Sequence, residues 1–292
     1  MHPNPLPRDE TTGLVMTDAP HPPMLQTGTD SCLGRIGALE VHLATSACEV
    51  EAAQRLRYKV FYQERSAGAP CDLSRDADRF DDICDHLLVV DTSLAVPNRE
   101  RIVGTYRLLP QEKAVATGGF YSSAEFGIDA LTARHPGLNL LELGRSCVLP
   151  AYRSRRTVEL LWQGIWAYTR RHGIDVMAGC ASFEGTVPAR HAEALSFLHH
   201  NCRASGDWAV RAVDERFASM DLMPVEGIRT REALAAMPPL IKGYLRLGAM
   251  IGEGCVIDHE FGTTDVFVVL PVAKISARYI NYYGADAQRF AA

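Results

Sequence analysis

Glu142 and Arg145 sit inside the otherwise apolar run LLELGRSCV, residues 140–148. Charges in such a run are costly unless they are paired or working. A carboxylate there has the chemistry of a general base, and a guanidinium three residues on is a fork for a second carboxylate. Arg153, Arg155 and Arg156 follow at once in a short loop. Basic residues beside a helix start offer a seat for a phosphate or an acidic surface. Elsewhere Arg57, Arg107 and the acidic group Asp76, Asp78, Asp81 and Asp82 stand out. Taken singly, each reads as a solvated or structural charge. The acidic group has a second reading, as a seat for a cationic substrate.

Other chemistries lose support. No GxSxG, HExxH, GxxxxGK[ST] or GxGxxG pattern occurs, so hydrolase, zinc-protease and nucleotide-binding readings lack their usual signatures. Cys147 has the type of a nucleophile, but a small buried hydrophobe is the favoured reading. His191, His199 and His200 have no acidic or cysteine partner at ligand spacing, and no metal site is expected. The eight cysteines are scattered without a CxxC, as in reduced cytoplasmic proteins.

The elements that must position these residues are legible as patterns. The chain has 292 residues, 47% hydrophobic and 22% charged, enough for a sizeable core. Its net charge of −5 argues against general nucleic-acid binding. No transmembrane run or secretory signal is expected. Residues 1–33 include a proline-rich stretch that reads as a disordered tail, and 34–292 as the folded domain. A first strand is expected over 34–43 and a helix over 47–63, capped by Thr45 or Ser46, with Arg57 on it. Residues 66–82 read as a long polar connection. Strands at 86–91 and 101–109 form an antiparallel pair, the second carrying Arg107. The strand at 140–148, a helix over 157–171 and a strand at 175–183 make a strand–crossover–strand unit with a parallel pair. Further on, 188–200 reads as a helix, 210–220 and 223–225 as strand pieces and 230–236 as a short helix. Segment 238–254 reads as partly helical, 261–272 as a late strand and 274–282 as a closing helix. The fold class is thus mixed α/β (α+β).

In order along the chain, LRYKVFYQE, FDDICDHLLVVD, IVGTYRLLP, GGFYSSAEF, LELGRSCV, YRSRRTVELLW, GCASFEG and PPLIKGYLRLGA resemble the ornithine N-alpha-acyltransferases, of the acyltransferase superfamily built on the GNAT fold. The likeness covers about residues 39–283. A weaker likeness, to the acyl-homoserine-lactone synthases, rests on Arg57 with Phe61, Asp78 with Asp81, Arg107, and Glu142 with Arg145. The C-terminal block favours the former, with a C-terminal extension from about residue 225. GNAT proteins that bind acyl-CoA usually carry a Q/R-x-x-G-x-G/A loop at the helix start. Here Arg156 and Val158 occupy the small-residue positions, against close backbone approach to a pyrophosphate.

The resemblance implies transfer of a (3-hydroxy)acyl group from acyl carrier protein to the α-amine of L-ornithine, the first step of ornithine lipid biosynthesis. It implies no metal or redox cofactor; the 4'-phosphopantetheine is carried by the donor. Glu142 is the expected base, with Arg145 orienting it or binding the substrate carboxylate. Arg57, Asp78, Asp81 and Arg107 are expected at the substrate site, the aspartates either holding ornithine's cation or pairing with the arginines. Backbone N–H groups near Cys147 and Val148 are expected at the pantetheine or thioester oxygen, and Arg153, Arg155 and Arg156 at the carrier protein. An amphiphilic product suggests a cytoplasmic protein with peripheral contact to the inner membrane face, through part of 238–250. The competing readings are a lactone-synthase-like or other amino-acid acyltransferase, and a non-catalytic module that holds acyl carrier protein.

Overall fold

The computed structural model describes residues 32–64 and 74–280. The expected tail lies outside them, except that Cys32 and Leu33 already belong to a strand. In chain order the elements are β1 (Cys32–Ile36), β2 (Leu39–Leu43), α1 (Ala47–Tyr58), β3 (Asp85–Asp91), β4 (Ile102–Pro110), α2 (Gln111–Ala116), α3 (Ile128–Arg134) and β5 (Leu140–Val148). They continue with α4 (Arg155–Arg171), β6 (Val176–Glu184), α5 (Ala192–Asn201), β7 (Phe217–Ala218), α6 (Thr230–Ala236), α7 (Pro239–Arg246), β8 (Met250–Asp258) and β9 (Thr263–Pro271). The strands form one mixed sheet in the order β1-β2-β3-β4-β5-β6-β9-β8-β7. β3 and β4 pair antiparallel and β5 and β6 parallel, as their patterns imply.

Local chemistry accounts for the helix ends nearest the site. Ser46 caps α1 by accepting from Glu49 N, while the Glu49 carboxylate takes Thr45 N at 2.7 Å. This reciprocal arrangement satisfies donors that a helix start leaves open. α1 then widens into a π-turn over Lys59–Gln63, so the expected 47–63 helix is two conformations in series. Ser154 caps α4, and Gly173 ends it at φ +57°, as glycine readily does. α4 lays Leu160, Leu161, Ile165 and Tyr168 on the sheet face built by Val41, Leu87, Val103 and Leu141. On the opposite face α1 packs Ala53, Leu56 and Val60 over Leu88, Ile102 and Cys147.

Two expectations are corrected. Residues 34–43 are not one strand but parts of a hairpin, turned at Gly37 with φ +63°. Of the strand pieces at 210–220 and 223–225, only Phe217–Ala218 pairs as a strand. Segment 238–254 is partly helical, as expected: it holds α7 and then the first part of β8, which pairs with β9. Its apolar residues Ile241, Tyr244, Leu247 and Ala249 are core, which removes them as a membrane-facing stripe. β8 and β9, both beyond residue 225, belong to the common sheet. The last part of the expected 274–282 helix lies outside the described residues.

β5 and β6 pair only from Leu140 to Glu142 and then part. Gly179 marks the parting: it lies at φ +154°, and a Cβ there would strike the Leu143 carbonyl oxygen. On the other edge of β5, Arg145 and Ser146 together oppose Tyr106, a bulge with Arg145 at φ +50°. A left-handed arginine costs on the order of 1 kcal/mol. The bulge bends β5 away from β6 and re-aims the side chains around it.

Candidate active site

A cavity of 270 Å³ opens where the two strands part. It runs through the sheet: Tyr106, Leu143 and Ala181 reach it from the face under α4, and Arg107, Glu142 and Asp265 from the other. Leu240 of α7, Phe61 of the π-turn and Phe261 of the β8–β9 turn add apolar wall.

Glu142 is 3% exposed, and its carboxylate is held by the turn at Tyr121 and Ser122. Tyr121 N donates to Oε2 at 2.8 Å, and Ser122 donates to Oε1 through both N, at 2.8 Å, and its hydroxyl. Burial pushes the carboxyl above its ordinary range, and these donors pull against the rise without cancelling it. A buried carboxylate with a raised pKa at a cavity wall has the profile of a general base. Cys180 stands beside it, its Sγ 3.4 Å from Ser122 Oγ. Burial, then Glu125 and Asp265, push that thiol well above its ordinary value, which disfavours a nucleophilic role.

Arg145 does not pair with Glu142. Its guanidinium reaches Asp76 and Asp78, each at 3.3 Å, and donates to Tyr121 Oη at 3.0 Å. The rings of Tyr121 and Phe261 flank it at 4.8 and 4.6 Å. Arg57, 1% exposed, holds Asp76 and Asp81 at 2.8 Å each and also reaches the Asp76 carbonyl. Arg107 lies 2.7 Å from Asp78 and 3.4 Å from Asp81. Burial works to raise the Asp81 carboxyl, yet Arg57, the Asp78 N–H and Arg107 bring it down to about 2. Three arginines thus meet three aspartates in one buried network, with both Asp78 and Asp81 inside it.

The remaining expected residues lie outside the cavity wall. The Cys147 side chain packs under α1, where Val60 and Leu56 surround it. Val148 pairs across to Gly104; because Leu149 N bonds to Val103 O, alternation turns the Val148 N–H away from β4, toward the parting of the strands. Arg153 is spent on Glu64, with two contacts of 2.6 Å, and on the Val148 carbonyl at 3.1 Å. Arg155 and Arg156 are exposed in the first turn of α4, with no ion-pair partner among the described residues. His199, His200 and Asp221 cluster on the surface, their ligand atoms within 4.8 Å of one another, through a partner distant in sequence. Asp76, Tyr121, Ser122, Phe261 and Asp265 were not expected at the site. Asp76 belonged to the visible acidic group, and Asp265 is a charge in an apolar strand, the signal that marks Glu142.

Comparison with known proteins places this architecture. Residues 56–163 match the acetyltransferase (GNAT) domain, and the sheet with flanking helices is of that α/β class. The chain is 63% identical over 261 residues to the L-ornithine N(alpha)-acyltransferase of Brucella abortus, covering 88% of this chain and 93% of the relative. The protein of the same name from Rhizobium meliloti is 61% identical, covering 88% of each chain. The chain belongs to this family. It is an acyltransferase. Among solved structures, FeeM, an N-acyl amino acid synthase from uncultured soil microbes, is similar at 12% identity and a TM-score of 0.46, covering 80% of this chain and 91% of that one. No helix among the described residues is long and apolar enough to cross a membrane.

Proposed function

We propose that this acyltransferase moves a (3-hydroxy)acyl group from acyl carrier protein to the α-amine of L-ornithine, giving a lyso-ornithine lipid and the free thiol of the carrier. The acceptor comes from the relatives' names. The observation that carries the chemistry is Glu142, a buried carboxylate on the wall of a cavity that passes through the sheet. The amine nitrogen attacks the thioester carbon, the C–N bond forms, and the C–S bond breaks. Glu142, directly or through a water, accepts the proton the nitrogen must lose, and the departing thiolate takes a proton to leave as thiol. The Val148 N–H, turned toward the strand opening, is placed to hold the pantetheine arm or the thioester oxygen.

The donor assignment rests on the start of α4. Arg155 and Arg156 are exposed there and have no ion-pair partner among the described residues, while Val158 stands where an acyl-CoA loop has a small residue. An acidic carrier with a single phosphate suits that surface better than a pyrophosphate. Arg153, held by Glu64 and Val148 O, steadies the loop from below.

Thiol release from 3-hydroxyacyl carrier protein with L-ornithine tests the base. Glu142→Gln is expected to slow turnover by about 10²–10⁴-fold, and near-normal release would remove Glu142 from that role. Arg155→Ala with Arg156→Ala should raise KM for the carrier and weaken its dependence on salt. Mass spectrometry of the product with ornithine, glycine, lysine or S-adenosylmethionine in parallel decides the acceptor.

A further inference from the structure

Asp265 of β9 is 7% exposed, lines the cavity, and its Oδ1 has no hydrogen-bond partner among the described residues. Thr263, two residues earlier on the same face, is 2% exposed, and its hydroxyl stands beside the Asp265 carboxylate. Native proteins leave few buried polar atoms without a partner, and such an atom at a cavity wall points to a missing ligand. The ligand's sign follows from the charges around it. Asp258 also lines the cavity, and Glu125 adds a third carboxylate to the electrostatic neighbourhood of Asp265. The guanidinium that acts on this group, Arg216, lies 3.0 Å from Glu125. Burial, and Asp258 with it, raise the Asp265 carboxyl despite the nearby hydroxyls of Ser182 and Thr263. A bound cation would oppose that rise.

We propose that Asp265, with Thr263 and Asp258, is the subsite that takes the side-chain ammonium of the acceptor amino acid. The inference rests on the reading of ornithine as acceptor and says how ornithine is told from amino acids of the same length without a terminal amine. An ammonium brings three donors and a positive charge, and so can donate to the Asp265 Oδ1 and the Thr263 hydroxyl at once. The register gives the spacing. Glu142 neighbours Ala178 across β5–β6, and Asp265 neighbours Ser182 across β6–β9, all on one face. Ala178 and Ser182 are four residues apart, about 13 Å along the strand. That spacing leaves room between the two carboxylates for an extended diamino acid, its α-amine toward Glu142 and its far amine toward Asp265. Asp76, Asp78 and Asp81 do not compete for this role, because three arginines already hold them.

The test compares kcat/KM for L-ornithine and for L-norvaline, which has the same carbon skeleton and no δ-amine, with the same carrier-bound donor. The wild-type chain should prefer ornithine strongly, and Asp265→Asn should lower that preference by on the order of 10²-fold. The norvaline rate should fall far less than the ornithine rate. Should Asp265→Asn fail to fold, Thr263→Val is expected to lower the same preference by about tenfold. An unchanged preference in the folded variants overturns the subsite, as does an equal loss with both acceptors. A wild-type chain that acylates both amino acids equally also overturns it, while the acyltransfer reading stands. One that acylates no amino acid overturns that reading and the subsite together.

Discussion

Two groups of carboxylates approach the same cavity, and the protein treats them in opposite ways. At one end Asp76, Asp78 and Asp81 are matched by Arg57, Arg107 and Arg145, almost all of it buried. At the other, Asp258, Asp265 and Glu125 have one guanidinium near them, Arg216, which pairs with Glu125, and no ion pair to Asp258 or Asp265 is present among the described residues. A matched network spends its charges on holding chain segments together: here it ties α1, the turn before β3, β4 and the bulge of β5. An unmatched group costs stability in the empty protein and retains charge for a ligand. Balance thus separates scaffold from recognition where residue type does not.

The sharpest way to break this contrast is to remove the centre of the matched end. Arg57→Ala leaves Asp76 and Asp81 buried without their main partner, and breaking a buried pair from one side costs about 3–5 kcal/mol. Urea denaturation should show a loss of that size; a loss below about 1 kcal/mol would mean that the network is not what holds these segments. A milder probe is acid. Asp81 sits near a pKa of about 2, below an unfolded carboxyl near 3.9, so the native state binds the proton less readily. Its contribution, on the order of 2 kcal/mol, is present above about pH 4 and is lost as pH falls toward 2. Asp81→Asn should flatten that part of the stability profile, and an unaltered slope would contradict the assignment.

What the sequence made legible follows the same line. Glu142 and Arg145 stood out as charges in an apolar strand, and both reach the cavity. Their partners could not be read, because these depend on a left-handed bulge at Arg145 and on the Tyr121–Ser122 turn, neither of which has a periodic signature. The acidic run was visible, but its pairing with three arginines from three elements is a matter of tertiary geometry. Asp265 carried the same signal as Glu142 inside TTDVFVVLP yet lacked a nearby basic loop to draw attention to it. The strand–helix–strand unit around β5 was plain because its periods are clean. β8 was missed because Gly252 and Gly254 interrupt its alternation. Tertiary packing crowds both: a Cβ would press on Val210 and Phe267 at the first, and at the second, where φ is +79°, it would strike the Phe217 ring.

The smallest effect is the most discriminating, because its sign differs between the two ends. Asp265→Asn removes a buried carboxylate with no ion pair among the described residues, so the empty protein should gain up to about 1 kcal/mol at neutral pH. The pH dependence has a definite direction. The folded carboxyl titrates above its unfolded value, so the wild type loses stability as pH rises through the folded pKa, where the buried group must give up its proton. Asparagine has no proton to lose, and the advantage of the variant should therefore shrink as pH falls toward 4. Thermal unfolding of both proteins at pH 5 and pH 7.5 checks this, and a loss of more than about 2 kcal/mol at neutral pH would place Asp265 with the scaffold. Saturating L-ornithine should then reverse the order. A ligand at about 100 times its Kd stabilises by about 2.7 kcal/mol, and only the wild type retains the carboxylate that this ligand neutralises.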